Sequence, residues 1–425
     1  LTNIVIVGGQ WGDEGKAKII DLLSEKADLV IRYQGGCNAG HTVVTGDQTY
    51  KFHLIPSGIL YPGKICLIGN GTVINPQVLT EEIENLKAKN IDTSNLYISP
   101  FAHLTLPYHI DLDELHEEFL QNNKIGTTKR GIGPTYIDKV GRTGIRIEDI
   151  YEKEALNSKF DMILPQKNMV LKQYGKKTYE KEELIEFCQK YAEILKPHVT
   201  DTTEITRNAI YKGKNILFEG AQGAMLDIDH GTYPFVTSSS PVAGGASTGS
   251  GVGFTHIQKV IGVFKAYITR VGEGPFLTEL NNDEGEKLQQ IGKEFGTTTG
   301  RKRRCGWFDV LIAKYSAFIN GLTGIALTKI DVFDDFDEIK ICIAYKDKRN
   351  GKLYHDYPAN TYIHKHLEPV YETMPGWKQD ISQIKSFSNL PVNAQSFIYR
   401  LELLTGIPIE IISVGPDREQ TITRS

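Results

Sequence analysis

The segment VIVGGQWGDEGKAKIIDLL, residues 5–23, sets Lys16 behind Gly8, Gly9, Gly12 and Gly15 and threads Asp13 and Glu14 between them. Glycine-rich turns expose backbone N–H groups, and a helix that follows adds the positive end of its dipole, so such a stretch binds anions. Lys16 contributes a point charge. The usual phosphate loop, G-x-x-x-x-G-K-[ST], does not match. Five residues rather than four separate Gly9 from Gly15, and Ala17 stands where a hydroxyl would hold magnesium. An acid inside the loop then has two possible tasks. Asp13 supplies the oxygen ligand that Mg2+ prefers, or it acts as a base on a substrate held against the phosphate.

Three further stretches carry chemistry. RYQGGCNAGHTV, residues 32–43, places Gly35, Gly36 and Gly40 where a backbone can approach a ligand closely. His41 follows, positioned to donate to a developing oxyanion or phosphoryl oxygen; an ordinary loop histidine is the competing reading. GIALTKIDVF, residues 324–333, delivers Thr328, Lys329 and Asp331 from a strand, which resembles the guanine-reading element of GTP-binding proteins. A carboxylate there accepts hydrogen bonds from the guanine ring N–H and exocyclic amine, a pair adenine cannot present. Gly415 and Pro416, in IISVGPD, set a tight turn able to wall the other side of the base. GTTTGRKRRCGWFD, residues 296–309, gathers Arg301, Lys302, Arg303 and Arg304 beside threonines and glycines. A basic run of this kind is a solvated face, a nucleic-acid patch or a loop gripping small anions bidentately; in a chain of net charge −4 the last is preferred.

The elements that position these residues are strands and helices in alternation. Apolar β-branched runs occur at 3–9, 27–33, 64–71, 215–223, 260–272, 324–333, 339–345 and 407–415. Near-continuous apolar strands suit an α/β fold with a large, mostly parallel sheet flanked by helices on both faces. Helical patterns intervene at 14–27, 75–89, 109–122, 180–212, 306–320 and 391–405, and the Lys/Glu-rich stretch 148–212 reads as a helical insertion rather than a second domain. The Gly/Ser-rich run 237–253 reads equally as a linker or a substrate loop. With 425 residues, 40% hydrophobic and 24% charged, the chain suits a globular protein with a sizeable core. No apolar run approaches the ~20 residues of a membrane span, and nothing in the charge balance suggests a nucleic-acid or membrane surface. Cys37, Cys66, Cys188, Cys305 and Cys342 lack the spacing of a zinc or redox motif and read as reduced cysteines of a cytoplasmic enzyme.

Taken together, QWGDEGK, YQGGCNAGHT, HLIPSG, IGTTKRGIGP, FEGAQGAMLDIDHGTYPFVTSS, TRVGEGPFLTEL, EFGTTTGRKRR and TKID closely resemble the adenylosuccinate synthetase family, in that family's order and over nearly the whole chain. Departures are few: Ala17 where glycine is usual, Cys37 where histidine is common, and Lys302 within an otherwise all-arginine run. The resemblance implies one P-loop-NTPase-like domain over 1–425, with the insertion at about 148–212 and a guanine-binding part at about 324–425. It implies a cytoplasmic ligase that joins IMP to L-aspartate at the expense of GTP, with one Mg2+ per subunit. Asp13, Lys16, His41 and Gln222 would be catalytic. Asp13, Asn38, Thr128, Arg142, Gln222, Thr237 and Arg301 would contact IMP, with Arg142 reaching across a homodimer into the neighbouring site. Gly12, Gly15, Lys16, Ala17, Gly40, His41, Thr42, Arg303, Lys329, Asp331, Ser413 and Gly415 would bind GTP. Thr297, Thr298, Thr299, Arg301 and Arg303 would take aspartate, and Asp13 with the Gly40 carbonyl would form the protein's share of the metal shell. The alternative from another class is a GTP-binding switch, whose Walker hydroxyl and short chain are both missing.

Overall fold

Successive residues of the first strand bury themselves on opposite sides of a sheet. Ile4 and Ile6 join one hydrophobic cluster, Val5 and Val7 another, and Val30 parts in the same way from Leu29 and Ile31. A strand covered on both faces belongs inside a parallel sheet, because crossover helices must pack on either side. The computed structural model describes residues 3–45, 48–121, 124–295 and 302–424 and has such a sheet at its centre. Its nine strands, in chain order, are β1 (Ile4–Gly8), β2 (Leu29–Arg32), β3 (Ile65–Ile68), β4 (Leu96–Ile98), β5 (Ile216–Glu219), β6 (Lys259–Lys265), β7 (Gly324–Thr328), β8 (Ile409–Ser413) and β9 (Thr421–Thr423). The spatial order is β9-β8-β7-β6-β1-β5-β2-β3-β4. All neighbours run parallel except β9, which turns back along β8. The chain builds outward on one side of β1 first and on the other side later. Ligands of open α/β sheets bind at such a switch point, beyond the carboxyl ends of the strands.

Three sequence expectations need correction. IKICIAY does not join the parallel series. It lies within strand Glu338–Asp347, which pairs antiparallel with Leu367–Pro375 in a second, five-stranded sheet. Cys342 and Tyr345 fill a small core with Leu311 and Leu367, while Ile339 and Ile341 join the cluster that holds Val5 and Val7, so an apolar run alone did not say which sheet it would enter. The run 260–272 also divides, into β6 and Tyr267–Arg270, and the latter crosses into the second sheet against Arg304–Asp309. Residues 306–309 are therefore strand. The helix expected from 306 begins at Val310, where the Asp309 carboxylate caps it by accepting from Leu311 N (3.0 Å) and Ile312 N (3.3 Å).

Between β4 and β5 come the helices Lys153–Gln173, Lys181–Leu195 and Thr202–Tyr211. The Gly/Ser-rich run forms the packed helix Ala243–Ser250, so its small residues serve close approach. A side chain at Gly249 would meet the Tyr33 carbonyl at 2.0 Å. Three helices frame the site: α1 (Lys16–Ser24), α2 (Pro107–Leu120) and α3 (Ile132–Gly141).

Candidate active site

The loop between β1 and α1 sits at the switch point, and its shape follows from contacts on every side. Gly9 passes so near Phe264 that a Cβ would fall 2.2 Å from the ring, so only glycine fits. Gln10 is clipped to β6 and its continuation by Nε2 to the Lys265 (3.2 Å) and Tyr267 (3.3 Å) carbonyls, and Oε1 accepts from Lys265 N. Gly12 (φ 85°) and Asp13 (φ 58°) then both enter the left-handed region. This double turn sends the two acids in opposite directions.

Glu14 points inward and is fully buried. Its Oε1 accepts from Gln10 N (3.0 Å) and Gly12 N (2.9 Å), while Oε2 holds the Lys16 ammonium at 2.5 Å. Its backbone carbonyl accepts from the Thr328 hydroxyl at 2.5 Å, tying the TKID segment to the loop. Asp13 points outward, its side chain 42% exposed, and meets Arg303 Nε at 2.6 Å. Arg303 also pairs with Glu294 (3.0 Å), whose other oxygen receives Lys265 (2.8 Å) and the Tyr267 hydroxyl (2.5 Å). Burial pushes the Glu294 carboxyl up, but Lys265 and its neighbours outweigh that and hold it below the ordinary value. No side chain caps the N-terminus of α1, which begins after Gly15, leaving its first amides to a ligand.

Around this loop lie the other expected residues. Gln222 adopts φ 56° and packs its Oε1 toward Gly35; that buried oxygen has no hydrogen-bond partner among the described residues. Asn38 is half-buried and accepts from Gly36 N at 3.2 Å. Thr237 is half-buried, its N–H donating to the Leu226 carbonyl. Gly40 is exposed with open space at its Cα. His41 and Thr42 begin a hairpin strand, paired with Phe52 and Lys51; their side chains, like Thr297, Thr298, Thr299 and Arg301 entirely, lie outside the described residues. Thr128 is exposed on the loop before α3, and Arg142 is exposed at the far end of that helix.

At the base end, Lys329 (φ 61°) donates to the Gly292 carbonyl at 2.8 Å. Asp331 keeps a buried Oδ1 without a partner among the described residues, and burial raises its pKa. Ser413 and Gly415 are held by a residue that sequence reasoning passed over. Lys18, on α1, gives its three protons to Ser413 Oγ (2.7 Å), the Gly415 carbonyl (2.8 Å) and the Gln420 carbonyl (2.9 Å). One helix thus leaves its N-terminal amides uncapped and, through Lys18, ties down the Ser413–Gly415 turn. Glu14, Glu294 and Lys18 were missed because a charged residue in sequence carries no sign of being buried.

A glycine-rich loop, a lysine and an uncapped helix N-terminus at the switch point, with a buried Asp331 carboxylate oxygen left without a partner among the described residues, suit an α/β enzyme of nucleotide chemistry. A sequence model of the family described as adenylosuccinate synthetase matches residues 5–422. Adenylosuccinate synthetases of Carboxydothermus hydrogenoformans and Moorella thermoacetica are 56% and 54% identical, each over 99% of both chains. The solved structure of fully ligated adenylosuccinate synthetase from Plasmodium falciparum superposes with a TM-score of 0.94, at 42% identity and full coverage of both chains. The chain belongs to the adenylosuccinate synthetase family. Its reaction is the ligation of IMP and L-aspartate through a new C–N bond, driven by GTP by way of 6-phosphoryl-IMP.

Proposed function

We propose that Asp13 is the base that opens this reaction and that the loop around it serves both nucleotides. The 6-oxo group of a purine is a poor leaving group, so an amine cannot displace it directly. Asp13 takes the N1 proton, and the resulting 6-oxyanion attacks the γ-phosphorus of GTP, breaking its bond to the β-phosphate oxygen. GDP leaves. The aspartate amine then adds at C6, phosphate departs with the C–O bond electrons, and the amine gives up a proton. Phosphoryl transfer of this kind depends on positioning and charge neutralisation. Lys16, the amides at the start of α1 and His41 supply these; Gln222, Asn38, Thr128 and Thr237 hold IMP; Thr297 to Thr299, Arg301 and Arg303 take aspartate. Lys329, Asp331, Ser413 and Gly415 read guanine.

The observation that carries this reading is the double left-handed turn, which holds the Asp13 carboxylate out in the crevice while Glu14 does the structural work. Mg2+ fits the same place. Asp13 and the Gly40 carbonyl are both oxygen donors open to solvent, and no cluster of three or more His, Cys, Asp or Glu exists among the described residues. So sparse a protein share suits an ion that keeps several waters and binds chiefly through phosphate. When bound, it neutralises developing phosphate charge. Arg142, exposed at the end of α3 beside the exposed Ile137 and Val140, supports a homodimer in which it reaches the neighbouring IMP. No described helix is long and apolar enough to cross a membrane, and the proposed compartment is the cytoplasm.

Asp13→Ala tests the central assignment. Turnover should fall by roughly 10²–10⁴ while GTP still binds. Near-normal turnover refutes it.

A further inference from the structure

Helix α2 has no residue among the expected ligand contacts, yet one of its faces carries a buried polar stripe. His109, Asp113 and Glu117 stand four residues apart, so they line one face, and they are 0%, 4% and 4% exposed. His109 accepts from Leu106 N at Nδ1 (2.9 Å) and therefore donates from Nε2 to Asp138 on α3 (3.0 Å). The two carboxylates go elsewhere. Glu117 accepts from the consecutive amides of Ile125 (3.2 Å) and Gly126 (3.0 Å), one on each oxygen. Asp113 accepts from Gly131 N at 3.0 Å, and burial raises its pKa while the Gly131 and Thr127 hydrogen bonds pull it back.

These contacts seize the loop IGTTKRG, residues 125–131, at both ends. Each end turns through a left-handed glycine, Gly126 (φ 82°) and Gly131 (φ 73°). A Cβ at Gly131 would lie 2.9 Å from the α2 backbone, so loop and helix meet without a gap. Between the ends, Thr128 and Lys129 are exposed, while Arg130 crosses to the Cys37 carbonyl at 2.5 Å, joining this loop to the one that carries Asn38. Burying two carboxylates is costly unless their hydrogen bonds are met. Here they are met by the amides of one loop whose middle residues, Thr128 and Lys129, are exposed.

We propose that Asp113 and Glu117 are positioning residues for the nucleoside monophosphate: they clamp the 125–131 loop so that Thr128 is presented to IMP in a fixed place. This rests on the reading of Thr128 as an IMP contact. Glu117→Gln is the sharpest perturbation, because one of its two carboxylate oxygens becomes an NH2 facing an N–H, so one amide loses its acceptor. Asp113→Asn keeps an acceptor for Gly131 and loses the charge.

The test measures KM for IMP and for GTP, with kcat, in both variants, together with tryptic cleavage at Lys124, Lys129 and Arg130 with and without IMP. Glu117→Gln should raise KM for IMP about 10- to 100-fold, the scale of one or two charge-assisted hydrogen bonds, with KM for GTP within about twofold. IMP should protect the loop from trypsin in the parent protein and fail to do so in the variant at the same concentration. Asp113→Asn should shift KM for IMP in the same direction and less. Should Glu117→Gln not fold, Glu117→Asp, which draws the charge back by one methylene, carries the same test. A folded variant with the parent KM for IMP, or with equal losses for IMP and GTP, overturns the clamp. Absence of IMP protection in the parent protein overturns instead the reading of Thr128 on which the clamp rests.

Discussion

Glu14→Gln separates the structural acid of the phosphate loop from the chemical one. Glutamine keeps a carbonyl oxygen for the Gln10 and Gly12 amides, so the loop retains its shape. Its NH2, however, faces the Lys16 ammonium in place of an oxygen at 2.5 Å. Glu14 is 0% and Lys16 5% exposed, so water cannot replace the lost counter-charge. Removing one partner of a buried pair costs about 3–5 kcal/mol. The unfolding entropy of 425 residues, at about 2.1 cal/mol/K each, is roughly 0.9 kcal/mol/K, so Tm should fall by about 3–6 °C. GTP changes the balance, because its phosphate oxygens give Lys16 a new counter-ion. The GTP-induced rise in Tm should therefore be larger in Glu14→Gln than in the parent protein. Thermal melts with and without saturating GTP read both effects. A ligand-free Tm within about 1 °C of the parent value, or equal GTP shifts, would refute the buried-pair argument.

Other outcomes follow from the proposed base pocket and the proposed subunit contact. Burial pushes the Lys18 ammonium down to about 8, against the pull of Asp331 and Asp417. Below that pH three donors meet three acceptors; above it the amine has two, so KM for GTP should rise as pH climbs through about 8. A KM flat from about pH 7 to 9 would exclude Lys18 from holding the pocket. Asp331→Asn replaces an acceptor with a donor, so GTP should bind about 10- to 100-fold less well and xanthosine triphosphate, with an oxygen where guanine has its amine, should become the better donor; unchanged preference in competition assays would remove Asp331 from base reading. Arg142→Leu should weaken IMP more than GTP. Mixed with Asp13→Ala, it should recover about a quarter of parental activity, since half the dimers then hold one intact site; a mixture as inactive as its components would place Arg142 in its own subunit's site or outside catalysis.

The sheet was legible because its strands are buried on both faces and declare it by unbroken apolar runs. Ile4 to Val7 and Ile216 to Phe218 needed no tertiary context. IKICIAY, equally apolar, went to the second sheet, because what decides sheet membership is the partner strand, here Leu367–Pro375, nearly thirty positions further on by sequence. At the site, the motifs proposed to contact ligands were legible in the sequence: glycines, Asp13, the TKID carboxylate. The residues that hold those motifs in place were not. Glu14, Lys18, Asp113, Glu117 and Glu294 are charged, and periodicity assigns charged residues to solvent. Each is instead held by partners that only the folded loop or a distant segment supplies, as Glu14 is by Lys16 and the Gln10 and Gly12 amides, and Lys18 by Ser413, 395 positions on.

Two adjacent acids in one phosphate loop would repel an incoming nucleotide if both faced it. Gly12 and Asp13 prevent this by turning left-handed in succession, a conformation glycine takes freely and aspartate tolerates better than most residues. Glu14 is thereby spent on the loop's own amides and on Lys16, which removes its charge from the crevice. Asp13 alone faces outward, and without substrates its charge is met by Arg303. Arg303 is in turn held by Glu294, and Glu294 by Lys265 and Tyr267, so the outward acid sits at the end of an alternating chain that runs back into the core. A purine proton or a metal ion reaching Asp13 competes with that arginine. Removing Arg303 therefore has two opposed effects, a more accessible carboxylate and a lost ligand contact, and Arg303→Leu should bind Mg2+ in the absence of nucleotide more tightly than the parent protein even as turnover falls. Calorimetric titration with Mg2+ alone reads the first effect separately from the second; weaker or equal binding in Arg303→Leu would mean that the pair does not restrain Asp13.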